Sequence, residues 1–154
     1  MVLKDENIYV ELTHDHLDTM TAINRVKSPK AGAVVLFAGT TRDTFDGKPV
    51  KQLEYTSYTI LALAQLKRIA NEMKKKHDLT AITLVHRLGV VPVGEESILI
   101  AVSAPHRQAA WRGGEEALEE CKKRTEIWKL EEFEGEEGGV WRANRDGQAG
   151  VRIA

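Results

Sequence analysis

The segment Ala33 to Gly39, AVVLFAG, constrains this chain more than any other stretch. It is short, apolar and rich in β-branched residues, so it reads as a buried strand rather than a helix. Its neighbours fall into place around it. Ile8, Val10 and Leu12 alternate with polar residues, the period of a half-buried strand. Leu17, Met20, Ile23 and Val26 then recur at helical spacing, with Thr13 or Asp15 as the expected cap. Ser28-Pro29-Lys30 ends that helix, because the residue before a proline is pushed out of the α region.

After Gly39 the loop TTRDTFDGKPV, punctuated by Asp46-Gly47, leads into a second strand at about Val50 to Tyr58. Leu63, Leu66, Ile69, Ala70 and Met73 mark one face of a helix from Ile60 to Lys76, whose terminal lysines suit the helix dipole. Strands are expected at Ala81 to Leu88 and Ser97 to Ser103, joined by GVVPVGEE, and Pro105 opens a third helix running to about Arg124. The order β-α-β-β-α-β-β-α, with adjacent strands paired as hairpins, predicts an α+β domain: helices packed on a mostly antiparallel sheet. The whole of 1–154 reads as one domain, with an acidic, glycine-rich and then basic tail from about residue 132.

At 154 residues and 42% hydrophobic content, such a chain can fold on its own core. Twenty-two basic against 23 acidic residues give a charge of -1, which argues against duplex DNA or an anionic membrane as partner and leaves room only for a local basic pocket. The single cysteine, Cys121, excludes an internal disulfide framework and a cysteine zinc cluster. No apolar run reaches the roughly 20 residues that span a bilayer, and MVLKDENIYV has no secretory pattern. A reducing, cytoplasmic setting is expected.

Three segments put chemistry-bearing residues where elements end. Thr40-Thr41-Arg42 follows the first strand, and arginine offers a permanently charged fork suited to phosphate or carboxylate. Its plainer reading is a surface residue paired with Asp43 or Asp46. His106 and Arg107 open a helix, where a cation is unfavourable unless an anion is near; the alternative is a solvent-facing pair. Lys122 and Lys129 are seven positions apart, which on a continuous helix means about 20° around the axis and roughly 10 Å along it. They are either ligand-facing or part of a solvated charge face.

Other features carry less. His14, Asp15, His16 and Asp18 lack a standard ligand spacing, so no metal is expected. His86 alternates with Ile82 and Leu84 and reads as a core or interface histidine, and Cys121 as a small buried hydrophobe. Gly113 and Gly114 weaken their helix by about 1 kcal/mol each relative to alanine, for no reason visible in the sequence.

GAVVLFAGTTRDTFDGKPVKQLEYTSY, HRLGVVPVGEESILIAVSAPHR and KKRTEIWKLE, in that order, resemble the large, catalytic subunits of molybdopterin synthase. The resemblance runs from Ile8 to about Arg145 and implies an α/β-hammerhead fold. It also implies a sulfurtransferase that converts precursor Z (cyclic pyranopterin monophosphate) to molybdopterin by installing a dithiolene. The sulfur comes from the thiocarboxylated Gly-Gly end of a small ubiquitin-like subunit, within a heterotetramer built on a central dimer of large subunits. No cofactor or metal is implied.

Carried over residue by residue, the resemblance makes Lys122, Lys129 and His106 catalytic. It places substrate at Thr40, Thr41, Arg42, His106, Arg107, Lys122, Lys129 and Glu131, and at Arg145, which a second copy can contribute. Phe37 matches a position lining the partner-tail region. The sequence departs from the family at Thr125-Glu126, where relatives have an apolar residue and proline. Two other readings remain open: a non-catalytic module that docks an acidic tail, and a phosphate-ester hydrolase using His106.

Overall fold

The computed structural model describes residues 1–136 and 138–144, together with the backbone of 151–153. The elements are β1 (Val2–Asp5), β2 (Ile8–Thr13), α1 (Thr19–Val26), β3 (Ala33–Thr40), β4 (Thr44–Phe45), β5 (Lys48–Ser57), α2 (Thr59–Lys76), β6 (Ala81–Arg87), β7 (Gly89–Pro92), β8 (Glu96–Ala104), α3 (Arg107–Arg124), β9 (Ile127–Phe133), β10 (Gly139–Ala143) and β11 (Val151–Ile153). This is an α+β architecture, as expected, but with two sheets rather than one.

The first sheet runs β1-β2-β6-β8-β3, and the second runs β11-β10-β9-β5-β4 with β7 also paired to β5. Pairing is antiparallel except between β2 and β6. Every residue of β6 is buried because both faces of the first sheet are covered. Ile82 and Leu84 pack into the core beneath α2 and α3, whereas Ala81 and Val85 join Ala22 and Val26 of α1 on the other face. β8 repeats the division, with Ile100 and Val102 on one side and Leu99 and Ala101 on the other.

Several local expectations are revised. The AVVLFAG strand is not fully buried: β3 ends the path of its sheet, and Val34 and Phe37 are exposed. The cap of α1 is Asp18, whose carboxylate accepts from the N–H groups of Met20 and Thr21, not Thr13 or Asp15. The GVVPVGEE connection contains β7, and α3 begins at Arg107 rather than Pro105. Within the segment expected as a tail from about residue 132, the end of β9, β10 and β11 pair in the second sheet.

The glycines of α3 gain a physical reason. A Cβ on Gly113 would stand 2.8 Å from Leu79 Cδ2, so the helix approaches the Leu79 side chain too closely for alanine. At Gly114 a Cβ would meet Val102 and Val35 at ordinary contact distances of 3.5 and 3.6 Å.

Candidate functional site

A cavity of about 530 Å³ opens where the two sheets meet. It is assembled from chain ends: β3 brings Phe37 and Thr40, the loop beyond it Arg42, the last turn of α3 Lys122, and β9 Lys129 and Glu131. Four cations (Arg42, Lys122, Lys129 and Arg142) and two carboxylates (Asp46 and Glu131) line it, so the lining is net positive in a chain of net charge -1. Such a pocket favours an anion.

The Arg42 loop is held by its neighbour. Thr41 is buried, donates its N–H to Glu95 O at 3.1 Å and accepts from Gly94 N–H at 2.9 Å. Its hydroxyl donates to Val91 O at 3.3 Å. Thr41 therefore anchors the loop and does not line the cavity, while Thr40 and Arg42 on either side do.

Lys122 and Lys129 converge, but not on one helix. α3 ends at Arg124, because Thr125 is extended (φ -97°, ψ 132°), and Lys129 lies on β9. A sharp turn between helix and strand, rather than helical periodicity, brings both ammonium groups to the cavity. Glu131 is 2% exposed. Its carboxylate lies 3.6 Å from Lys129 Nζ and accepts from Arg142 Nε at 3.0 Å. A buried carboxylate stays charged only when so paired.

His106 and Arg107 are elsewhere. In the antiparallel β3–β8 ladder Ala33 pairs with Ala104 and Thr40 with Glu96. Arg42 and the His106-Arg107 pair therefore follow opposite ends of a ladder spanning roughly 23 Å at about 3.3 Å per residue. Neither His106 nor Arg107 lines the cavity. The expectation that they share a pocket with Arg42 within one chain is corrected. Arg145 lies outside the described residues.

The cavity also contains residues the sequence reading did not place there. His86, read as a core histidine, is buried at the end of β6 and forms part of the lining beside Tyr55, Arg142 and Asn144. Its Nδ1 is 2.8 Å from Arg87 O, a carbonyl that can only accept, so Nδ1 carries the proton. Nε2 therefore has a lone pair, and it accepts from Asn144 Nδ2 at 3.1 Å. Burial, reinforced by the nearby Lys122 charge, holds His86 down to about 4 against the opposing hydrogen bond to Arg87. The Tyr55 ring meets the imidazole edge-on at 4.8 Å. Burial raises the Tyr55 phenol, opposed by a hydrogen bond with Ser97. Its alternation with Ile82 and Leu84 marked His86 as inward-facing; nothing local revealed that β6 ends at a cavity.

The α+β fold is shared with solved proteins of molybdopterin synthesis. The crystal structure of molybdopterin synthase from Staphylococcus aureus matches with a TM-score of 0.80 and 32% identity, over 85% of this chain and 94% of that one. A chain from a protein–protein complex of subunits 1 and 2 of molybdopterin-converting factor from Helicobacter pylori shares the fold at a TM-score of 0.67 and 20% identity, over 91% of this chain and 92% of that one. The sequence profile of the MoaE protein family matches residues 12–124, and the chain belongs to that family. The molybdopterin synthase catalytic subunit of Sclerotinia sclerotiorum is 66% identical over 151 residues, 98% of this chain and 77% of that protein. That of Neurospora crassa is 63% identical over 151 residues, 98% of this chain and 73% of that protein.

Proposed function

We propose that this chain is the catalytic subunit of a molybdopterin synthase, a sulfurtransferase acting on precursor Z in molybdenum cofactor biosynthesis. The carrying observation is the convergence of Arg42, Lys122 and Lys129 on one cavity from a loop, a helix end and a strand. Family membership supplies the reaction, and the cationic lining suits its anions: the cyclic phosphate of the substrate and the thiocarboxylate of a small ubiquitin-like partner.

In this reading the partner's C-terminal tail enters beside Phe37. Lys122 sits nearest the incoming tail and stabilises the charge that develops on the thiocarboxylate. Each transfer forms a carbon–sulfur bond and breaks a carbon–oxygen bond on the pterin's side chain; water then cleaves the tail's acyl carbon–sulfur bond and leaves the tail as a carboxylate. Lys129 serves phosphate ring opening and proton transfer, and Arg42 holds the phosphate through its fork. Glu131 sets the position of Lys129. His106 and Arg107 can join this cavity only from a second copy of the chain, which fits a central dimer; Arg145 is proposed to act the same way. A reducing cytoplasm is the compartment in which such a thiocarboxylate persists.

The test mixes the pure protein with precursor Z and a thiocarboxylated small subunit and assays dithiolene formation. Lys122→Ala is expected to lower turnover more than about tenfold, equivalent to roughly 1.4 kcal/mol of barrier, with partner affinity retained. A non-catalytic docking module would show no product with any variant. A phosphate-ester hydrolase would release phosphate without the partner.

A further inference from the structure

We propose that Asn144 is a substrate-contact residue of this cavity, oriented by His86 as a positioning residue, and that its side-chain oxygen accepts a hydrogen bond from an N–H on the edge of a flat nitrogen heterocycle. The choice of heterocycle rests on the proposed function, whose substrate is a pterin; the direction of the hydrogen bond rests on the geometry alone.

Asn144 is the residue after β10, and its side chain lines the cavity. It is held at two points. Its backbone N–H donates to Ile127 O at 3.0 Å, fixing it beside the start of β9. Its side-chain Nδ2 is 3.1 Å from His86 Nε2. An amide can present either end to a neighbour, and here the neighbour decides. The proton on Nδ1 is committed to Arg87 O, so Nε2 can only accept and Asn144 must turn its NH₂ toward it. Oδ1 is thereby aimed away from His86, and it has no partner among the described residues. Burial keeps the imidazole neutral at neutral pH, and the neutral ring holds this orientation.

The chemistry of the remaining lining gives the oxygen its purpose. Arg42, Lys122, Lys129 and Arg142 only donate, and they suit phosphate or thiocarboxylate. The hydroxyls of Thr40, Thr44 and Ser97 can act either way, and the carboxylates of Asp46 and Glu131 accept, Glu131 already from Arg142. Asn144 Oδ1 can only accept, so it repels anionic oxygens and selects an N–H donor. It stands beside two uncharged rings, Tyr55 and His86, which pack edge to face. A site that hydrogen-bonds an N–H discriminates against analogues lacking it, because its own acceptor is otherwise left unpaired.

Binding of two probes to the full chain tests this: a neutral pterin without phosphate, followed by its fluorescence, and inorganic phosphate, followed by competition. Asn144→Ala is expected to weaken pterin binding about tenfold, the equivalent of one lost hydrogen bond, and to leave phosphate binding unchanged. His86→Phe keeps the ring volume and removes Nε2, so it should weaken pterin binding to a similar degree. The double variant should be no worse than Asn144→Ala, the non-additivity of one residue acting through another. In turnover with precursor Z, Asn144→Ala should raise KM and spare kcat. Pterin binding within twofold of wild type in Asn144→Ala, additive losses in the double variant, or a wild-type chain that binds no pterin each overturn the inference. Pterin binding that depends on Asn144 in a wild-type chain that makes no dithiolene would instead overturn the proposed reaction and leave this contact standing.

Discussion

Glu131 accepts a 3.0 Å hydrogen bond from Arg142 Nε, and the bond crosses the β9–β10 ladder on a diagonal, because Arg142 pairs in register with Lys129. One buried carboxylate thus holds two cations at the cavity wall. Glu131→Gln keeps the shape and removes the charge, leaving Lys129 and Arg142 without it. Denaturant unfolding should show a loss of about 2 kcal/mol or more, since removing one charge of a buried ion pair is strongly destabilising. A loss below about 0.5 kcal/mol, the range of ordinary surface changes, would remove Glu131 from this role.

His86 makes stability depend on pH in a stated direction. Unfolded, the imidazole takes its proton near 6.5; folded, burial holds it to about 4. Between those values the unfolded chain binds more protons, so stability is complete above 6.5 and falls as pH drops toward 4. The loss amounts to about 3 kcal/mol at 1.36 kcal/mol per pKa unit. The stability of wild type relative to His86→Phe should therefore fall as pH drops through this window. A constant difference from pH 7 to 4 would mean that His86 titrates normally.

Cys121 adjoins Lys122 and invites a role in sulfur chemistry. Burial pushes its thiol up to about 12, with the Glu120 charge adding to the effect, so it stays protonated and unreactive at neutral pH. Cys121→Ala should retain most dithiolene formation while losing about 1 kcal/mol of stability to the small cavity. Complete inactivity in a folded variant would show that the thiol carries sulfur.

The adjacent glycines of α3 should respond differently to alanine. Gly114→Ala meets only ordinary contacts and should gain up to about 1 kcal/mol from helix propensity. Gly113→Ala drives a Cβ to 2.8 Å from the buried Leu79 side chain and should lose about 1–3 kcal/mol to overpacking. Melting temperatures moving in the same direction for both would contradict this packing of α3.

Much of the fold was legible because burial writes itself into local pattern. Ile100 and Val102 sit in an unbroken apolar run, Ile82 and Leu84 in one broken only by Thr83, and the faces of α2 follow from Leu63, Leu66, Ile69 and Met73. β9 and β10 were harder to see, because LEEFEGEEGGVW dilutes its apolar residues with glutamate and glycine that pair only across a sheet. The third helix ends at Arg124 as its pattern indicated, so the spacing of Lys122 and Lys129 on a continuous helix does not apply. Arg42, Lys122 and Lys129 were identifiable by residue type and resemblance. The distance of Arg107 from them depends on the register of β3 against β8, a long-range property that no window of sequence contains.

That ladder has a genetic corollary. If, as proposed, the active centre needs Arg42 from one end of it and Arg107 from the other, it must draw on two chains, and each mutation would disable a different half. Arg42→Ala and Arg107→Ala chains, each inactive alone, should complement when unfolded together and reassembled. A mixed two-fold pair concentrates both lesions in one centre and leaves the other intact. With random pairing about half the dimers are mixed, and activity should return to about a quarter of wild type.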